Sequence, residues 1–91
     1  VDFTAVWCGP CKMLDPLVDK LADHFAGRLA FFEVNVDDAP ALAARFEITG
    51  VPTLVFLNQG RVRDVLVGFP SPRVLVEKLE VLAANPAEAR R

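Results

Sequence analysis

The feature that most constrains the fold is a pair of cysteines at the point where a strand pattern changes into a helical one. Before the pair, Val1–Val6 is mainly apolar with one acid, Asp2, inside it, which is typical of a buried strand. Gly9-Pro10 interrupts this pattern, and proline is favoured in a first helical turn because it has no N–H group to leave unpaired. We therefore predict a strand that leads directly into a helix, with Cys8 and Cys11 at the junction.

The rest of the chain continues to alternate between strand and helix patterns. The predicted helices cover Pro10–Phe25, Pro40–Phe46 and Pro72–Ala84, and the later strands cover Leu29–Val36, Thr53–Leu57 and Arg61–Val67. Asn58-Gln59-Gly60 predicts a hairpin turn of about three residues between the last two strands. We predict an α/β domain over residues 1–84, with a mixed four-stranded sheet and helices on both faces. Residues 85–91 are expected to be a frayed polar tail.

Size and charge narrow the possible functions. The 91 residues suffice for one small domain, and a formal net charge of −2 provides no basic surface for nucleic acid or an anionic membrane. No apolar run approaches the length of a membrane span. Two cysteines are too few for a secreted disulfide scaffold, and a C-x-x-C pair beside a strand–helix–strand pattern favours a reducing compartment. We therefore expect a cytoplasmic protein that binds neither nucleic acid nor membrane.

The cysteine pair itself indicates thiol–disulfide exchange, which needs an exposed thiolate and a second thiol that resolves the mixed disulfide. Cys8 precedes the helix, where unpaired N–H groups and the positive end of the helix dipole favour an anion, so we expect it to be the attacking thiolate. Cys11 lies one turn further on and is more enclosed, which fits the resolving thiol. The alternative is half of a zinc site, which needs two further ligands. The only histidine, His24, lies on the polar face of the helix with no second ligand pair nearby.

Several motifs together resemble the thioredoxin family. They are Trp7-Cys8-Gly9-Pro10-Cys11, Val51-Pro52-Thr53, Asn58-Gln59-Gly60 and Val67-Gly68, with Pro16 inside the first helix. The resemblance runs from Val1 to about Ala84 and implies a thioredoxin-like fold. It also implies a strand and a helix before Val1 that this sequence does not contain, which would leave the strand Leu29–Val36 at an edge of the sheet.

The resemblance assigns supporting roles to residues that are far from the cysteines in sequence. Asp2 aligns with a buried acid that accepts a proton near the resolving cysteine; the alternative is an acid exposed to water at a strand start. Family members commonly carry a lysine across from this acid, and here the aligned residue is Glu33, which would either raise one carboxyl pKa further or turn outward. Pro52 is expected to be cis and to present the Val51 backbone to an extended substrate, with an ordinary trans proline as the alternative.

The resemblance further implies an apolar substrate-binding surface, which comprises Trp7, Gly9, Pro10, Val36, Gly50, Val51, Pro52, Val67, Gly68 and Phe69. A Gly-Pro dipeptide between the cysteines is typical of reductants in this family. The implied activity is therefore reduction of disulfide-containing protein substrates, with no metal and no bound cofactor. By the same resemblance a flavin-dependent thioredoxin reductase donates the electrons, and the chain acts as a monomer. The alternative is a binding or co-chaperone domain of a longer protein in which the cysteines are secondary.

Overall fold

Four strands and three helices follow one another as β-α-β-α-β-β-α along residues 1–84, the part of the chain that the computed structural model describes. The strands are β1 (Asp2–Thr4), β2 (Glu33–Asn35), β3 (Thr53–Asn58) and β4 (Arg61–Val67), and the helices are α1 (Gly9–His24), α2 (Pro40–Arg45) and α3 (Pro72–Ala83). This order is the one that the sequence predicts. The predicted frayed tail, residues 85–91, lies outside the described residues.

The strands form one mixed sheet in the order β2-β1-β3-β4, which confirms the predicted fold class. β1 pairs with β2 in parallel and with β3 antiparallel, and β3 pairs antiparallel with β4. β2 lies at an edge, as expected, but it is much shorter than the predicted strand Leu29–Val36. The reason is its partner, because β1 offers a ladder only from Asp2 to Thr4, which matches Glu33 to Asn35.

The β3–β4 hairpin has a tighter turn than the sequence predicts. Asn58 pairs with Arg61, so the loop between the strands consists of Gln59 and Gly60 alone. Both residues have positive φ angles, 54° and 76°, as the turns that match the right-handed twist of a hairpin require. β4 is the outer strand, and its apolar members Val62, Val65 and Val67 are all exposed.

The main core lies between the sheet and the two longer helices, α1 and α3. It contains Leu14, Leu21, Phe25, Leu54, Phe56, Leu75 and Leu79. On the opposite face, Phe3 of β1 packs against Phe46, which follows α2, with 5.6 Å between the ring centroids. Helices therefore cover both faces, as predicted. None of the helices in the described residues is long and apolar enough to cross a membrane.

Helix α1 carries the cysteines and is anchored by one face. Its buried residues are Cys11, Leu14 and Leu21, and Pro16 lies inside the helix, as the sequence indicates. Met13, which apolar spacing assigns to the buried face, is instead 70% exposed. The spacing rule fails there because Met13 lies two positions from Cys11 and one from Leu14, on the solvent side of the same turn.

Replacing Leu14 by alanine is expected to lower the free energy of unfolding by about 2–5 kcal/mol, because the fully buried side chain would leave a cavity between α1 and the sheet. Met13→Ala is the matched control on the same helix, with an expected change below about 0.5 kcal/mol. Urea unfolding followed by tryptophan fluorescence measures both. Equal losses in the two variants would contradict the burial of Leu14 between α1 and the sheet.

Candidate active site

The two cysteines form a disulfide at the start of α1. Their Cα atoms are 5.3 Å apart, within the usual range for a disulfide. Cys8 is the N-cap residue of the helix, and the N–H of Cys11 donates a hydrogen bond to the Sγ of Cys8 at 3.1 Å. A sulfur that accepts a main-chain N–H at a helix N-terminus is placed to carry negative charge when the disulfide is reduced.

The expectation that Cys8 is exposed is wrong for the disulfide form. Only 4% of Cys8 and 1% of Cys11 is accessible to solvent, so the difference in enclosure is small. The pair is covered by Ala5, with Val36 and Val51 packed against it. The burial has a simple cause: the bond directs each sulfur toward the other, and the remaining side of Cys8 Sγ faces the Val51 carbonyl oxygen at 3.7 Å.

The loop before β3 lies against the cysteines, although it is about forty residues away in sequence. The Val51–Pro52 peptide bond is cis, as the resemblance implies, and Pro52 is almost fully buried. Two hydrogen bonds hold the loop in place. The N–H of Gly68 donates to the Pro52 carbonyl oxygen at 2.8 Å, and the Thr53 hydroxyl donates to the Gly50 carbonyl oxygen at 2.6 Å.

Trp7 stands at the rim of the site with 68% of its surface exposed. Its indole Nε1–H donates to a carboxylate oxygen of Asp37 at 2.7 Å. From the sequence we expect Asp37 and Asp38 to cap the next helix, but the N-cap of α2 is Ala39, without a side-chain cap. The parallel pairing of β1 and β2 explains the contact, because the segments after parallel strands emerge at the same edge of the sheet. The predicted parallel pairing of these strands could therefore have indicated that Asp37 lies close to Trp7.

The predicted substrate-binding residues differ in their exposure to solvent. Trp7, Gly9, Pro10, Gly50, Val67 and Phe69 are exposed, whereas Val36, Val51 and Gly68 are half-buried. Pairing of Val67 with Thr53 places the end of β4 beside the cis-proline loop. Of these residues, Val36 and Val51 pack directly against the cysteines, and Pro52, which follows Val51, is almost fully buried.

Asp2 is buried within the sheet rather than exposed to water at a strand start, with 6% of its surface accessible. Neither carboxylate oxygen has a hydrogen-bond partner in the described residues. Burial, followed by repulsion from Asp15 and then Glu33, raises the pKa of Asp2 from 3.8 to about 6; the Val1 amino group acts in the opposite direction. This direction suits a group that accepts a proton near neutral pH.

Glu33 was expected either to face Asp2 or to turn outward to solvent, and the structure shows part of each. The residue is exposed, yet one of its carboxylate oxygens lies within 4.8 Å of oxygens of Asp2 and Asp15. Asp15, the third carboxylate beside Asp2 and Glu33, was not identified as a site residue from the sequence. It follows Cys11 by four positions on α1, so both lie on one helix face. That spacing was visible in the sequence, but the approach of β1 to α1 was not.

The architecture and the site together define a class: a mixed α/β domain with a C-x-x-C disulfide at a strand–helix junction and a cis-proline loop against it. The thioredoxin family model matches residues 1–81, and the chain belongs to the thioredoxin family. A thioredoxin from Staphylococcus saprophyticus is 41% identical over 80 residues, which are 88% of this chain and 77% of the relative. The structure of a mutant thioredoxin from Halobacterium salinarum superposes with a TM-score of 0.83 at 38% identity, covering 90% of this chain and 71% of that one.

Chloroplast relatives are considerably longer than this chain. The M-type chloroplastic thioredoxin of Brassica napus is 43% identical over 68 residues, which are 75% of this chain and 38% of the relative. The corresponding protein of Spinacia oleracea is 36% identical over 80 residues, which are 88% of this chain and 44% of the relative. The chain thus spans about two fifths of the chloroplast relatives that it matches.

Proposed function

We propose that this chain is a thiol–disulfide oxidoreductase that reduces disulfides in protein substrates. The observation that carries the proposal is the arrangement of the cysteines. Cys8 Sγ caps α1 and accepts the N–H of Cys11, so the protein provides a stabilised thiolate with its resolving partner one turn away. The family membership supports the same reaction class.

The reaction begins with the reduced dithiol. The Cys8 thiolate attacks one sulfur of the substrate disulfide, and the substrate S–S bond breaks as a mixed disulfide forms. The other substrate sulfur leaves as a thiolate and takes a proton. Cys11, as a thiolate, then attacks Cys8 Sγ and releases the second substrate thiolate. Two electrons pass from the dithiol to the substrate, and the Cys8–Cys11 disulfide remains.

Asp2 is proposed to accept the proton of the Cys11 thiol. Asp15, whose carboxylate lies within 4.8 Å of that of Asp2, is one turn after Cys11 on the same helix face. Both Asp2 oxygens are without hydrogen-bond partners in residues 1–84, so they are available to a bridging water or a proton. The raised pKa of Asp2, about 6, lets it accept and release a proton near neutrality.

The substrate is proposed to bind as an extended segment along the cis-proline loop. The Val51 carbonyl oxygen lies 3.7 Å from Cys8 Sγ, so a peptide that pairs with the Val51 backbone would have its disulfide at the attacking sulfur. The exposed surfaces of Trp7, Gly9, Pro10 and Gly50 flank this position, and Gly68 fixes Pro52 through its N–H. Main-chain recognition of this kind accepts substrates of varied sequence.

Partners and location follow from the same proposal. The oxidised pair needs an external two-electron donor, and we propose a flavin-dependent thioredoxin reductase, with no cofactor or metal held at the cysteines themselves. A monomer in a reducing compartment such as the cytoplasm fits this cycle. The match to chloroplastic relatives makes the chloroplast a second compartment to be compared.

Replacing Trp7 by alanine is expected to raise the KM for a protein disulfide several-fold and to leave the reduction of a small aromatic disulfide nearly unchanged. The reason is that the exposed indole offers a large contact area to a protein and little to a small molecule. Val62→Ala is the matched control, since Val62 is exposed and pairs with Leu57, far along the hairpin from Thr53. Equal effects on both substrates would contradict a substrate-binding role for Trp7.

The direct test is reduction of insulin disulfides by the dithiothreitol-reduced chain, followed by precipitation of the released B chain. Accelerated precipitation over dithiothreitol alone supports the proposal. Equilibration with glutathione then gives the redox potential of the Cys8/Cys11 couple, and a strongly oxidising value would replace reductase by oxidase or isomerase. Binding of unfolded insulin without turnover would favour the binding or co-chaperone alternative.

A further inference from the structure

Three carboxylates from three different elements converge on one face of the sheet. Asp2 of β1, Asp15 of α1 and Glu33 of β2 each place one oxygen within 4.8 Å of the other two. The strand register accounts for two of them, because Asp2 and Glu33 are direct partners in the parallel ladder and point to the same face. Helix α1 packs on that face and supplies Asp15.

The acid at the centre of this carboxylate cluster is buried and unpaired. Only 6% of Asp2 is accessible, and neither of its side-chain oxygens has a hydrogen-bond partner in the described part of the chain. One oxygen of Asp15 is unpaired as well. Leaving a buried polar group without a partner is unfavourable, and more so for a charged one. The Val1 amino group acts on Asp2, but it donates its hydrogen bond to the Val55 carbonyl oxygen.

The donor set indicates which ligand would satisfy these oxygens. Carboxylates alone favour a hard cation over zinc or copper, which prefer nitrogen and sulfur. Calcium accepts six to eight oxygen ligands in a flexible geometry, whereas magnesium demands near-ideal octahedral geometry and is usually held by only one or two carboxylates. Three carboxylates from three different elements, with their oxygens within 4.8 Å of one another, therefore favour calcium. Glu33 is exposed, so its side leaves room for water ligands.

We propose that Asp2, Asp15 and Glu33 form a binding site for a hard divalent cation of calcium size. The site uses none of the sulfur atoms but shares Asp2 with the proposed proton-acceptor role, and its test measures ion binding rather than turnover. The cation replaces the repulsion among three carboxylates by attraction and supplies the partner that Asp2 lacks. It also ties α1 to β1 and β2, so binding is expected to stabilise the folded chain.

The test is a calorimetric titration of the oxidised chain with CaCl₂ slightly above neutral pH, with thermal unfolding measured in parallel. We expect saturable binding of one ion per chain, a higher Tm, and weaker binding of MgCl₂. Asp15→Asn is expected to lower the calcium affinity by about tenfold or more, because affinity at such sites follows the ligand charge. Asp23→Asn, an exposed position two turns further along α1, is the matched control and is expected to leave the affinity unchanged.

The proposal would be overturned by a first outcome, no saturable binding at millimolar calcium, or by a second, equal affinities for the wild type and Asp15→Asn. The second would assign the binding to exposed acids elsewhere on the surface. Glu33→Gln provides an independent variant at an exposed strand position, where loss of folding is not expected. An unchanged calcium affinity in that variant would also overturn the three-carboxylate site.

Discussion

Replacing Cys8 by serine is expected to abolish reduction of protein disulfides, whereas replacing Cys11 by serine is expected to stop the reaction at a covalent complex. A serine hydroxyl at position 8 is not ionised near neutral pH and cannot attack a disulfide, so we expect a loss on the order of 10³-fold or more in insulin reduction. With Cys8 intact and Cys11 absent, the first exchange still occurs, but nothing displaces the substrate.

The two variants are distinguished by their products. After incubation with a disulfide-containing protein, Cys11→Ser is expected to give a band on non-reducing gels at the summed mass of the two proteins, and dithiothreitol should remove it. Cys8→Ser is expected to give no such band. Thermal unfolding of both variants against the reduced wild type controls for loss of fold. A trapped complex with Cys8→Ser instead would reverse the assignment of attacking and resolving thiols.

Replacing Asp2 by asparagine is expected to stabilise the protein by up to about 3 kcal/mol above pH 7 and by little below pH 4, since two pKa units correspond to about 1.4 kcal/mol each. The pKa of Asp2 is raised from 3.8 to about 6 in the folded state. Between these values the folded chain holds a proton that the unfolded chain has released. Stability associated with this group is therefore complete below pH 3.8 and is lost as the pH rises through 6.

The pH dependence is the decisive measurement for Asp2. Urea unfolding of the wild type is expected to show stability falling between about pH 4 and 6 on account of this group, and Asp2→Asn should remove that slope. Asp23→Asn, which changes the charge equally at an exposed site, is the control. A stabilisation that is the same at both pH values would show that the carboxyl is not desolvated. A buried amide that lacks a partner would reduce the gain without changing its pH dependence.

The proposed proton-acceptor role of Asp2 predicts a second, kinetic effect of Asp2→Asn. If Asp2 takes the proton of Cys11, Asp2→Asn should slow the resolution of the mixed disulfide, by about 10²-fold for general base catalysis, and leave its formation unchanged. Stopped-flow mixing of the reduced variant with a fluorescent disulfide peptide separates the two steps. Unchanged resolution would remove Asp2 from the reaction and leave its effect on stability intact.

Local sequence patterns correctly predicted the structural features that depend on residues close together in the sequence. The strand-to-helix change at Gly9-Pro10, the positive φ of Gly60 and the order of the seven elements all follow from residues within a few positions of one another. The cis peptide at Pro52 came only through the resemblance to a family, since nothing within the sequence distinguishes a cis from a trans proline.

Contacts between elements that are distant in sequence could not be predicted from local sequence patterns. The length of β2 depends on how many residues β1 offers for pairing, and the exposure of Met13 depends on which side of α1 meets the sheet. The approach of Asp15 to Asp2 requires both the strand register and the docking of α1. All three features depend on tertiary packing, which the periodicity of the sequence does not determine.

The hydrogen bond from Cys11 to Cys8 comes from the peptide backbone, and this makes the reactivity of the attacking sulfur robust to mutation. Any residue other than proline at position 11 supplies the same N–H. Variation at that position can therefore abolish turnover while the first sulfur stays fully reactive. A lineage that lost the second thiol would retain a protein that captures partners covalently, so loss of catalysis and gain of a trapping function lie one substitution apart.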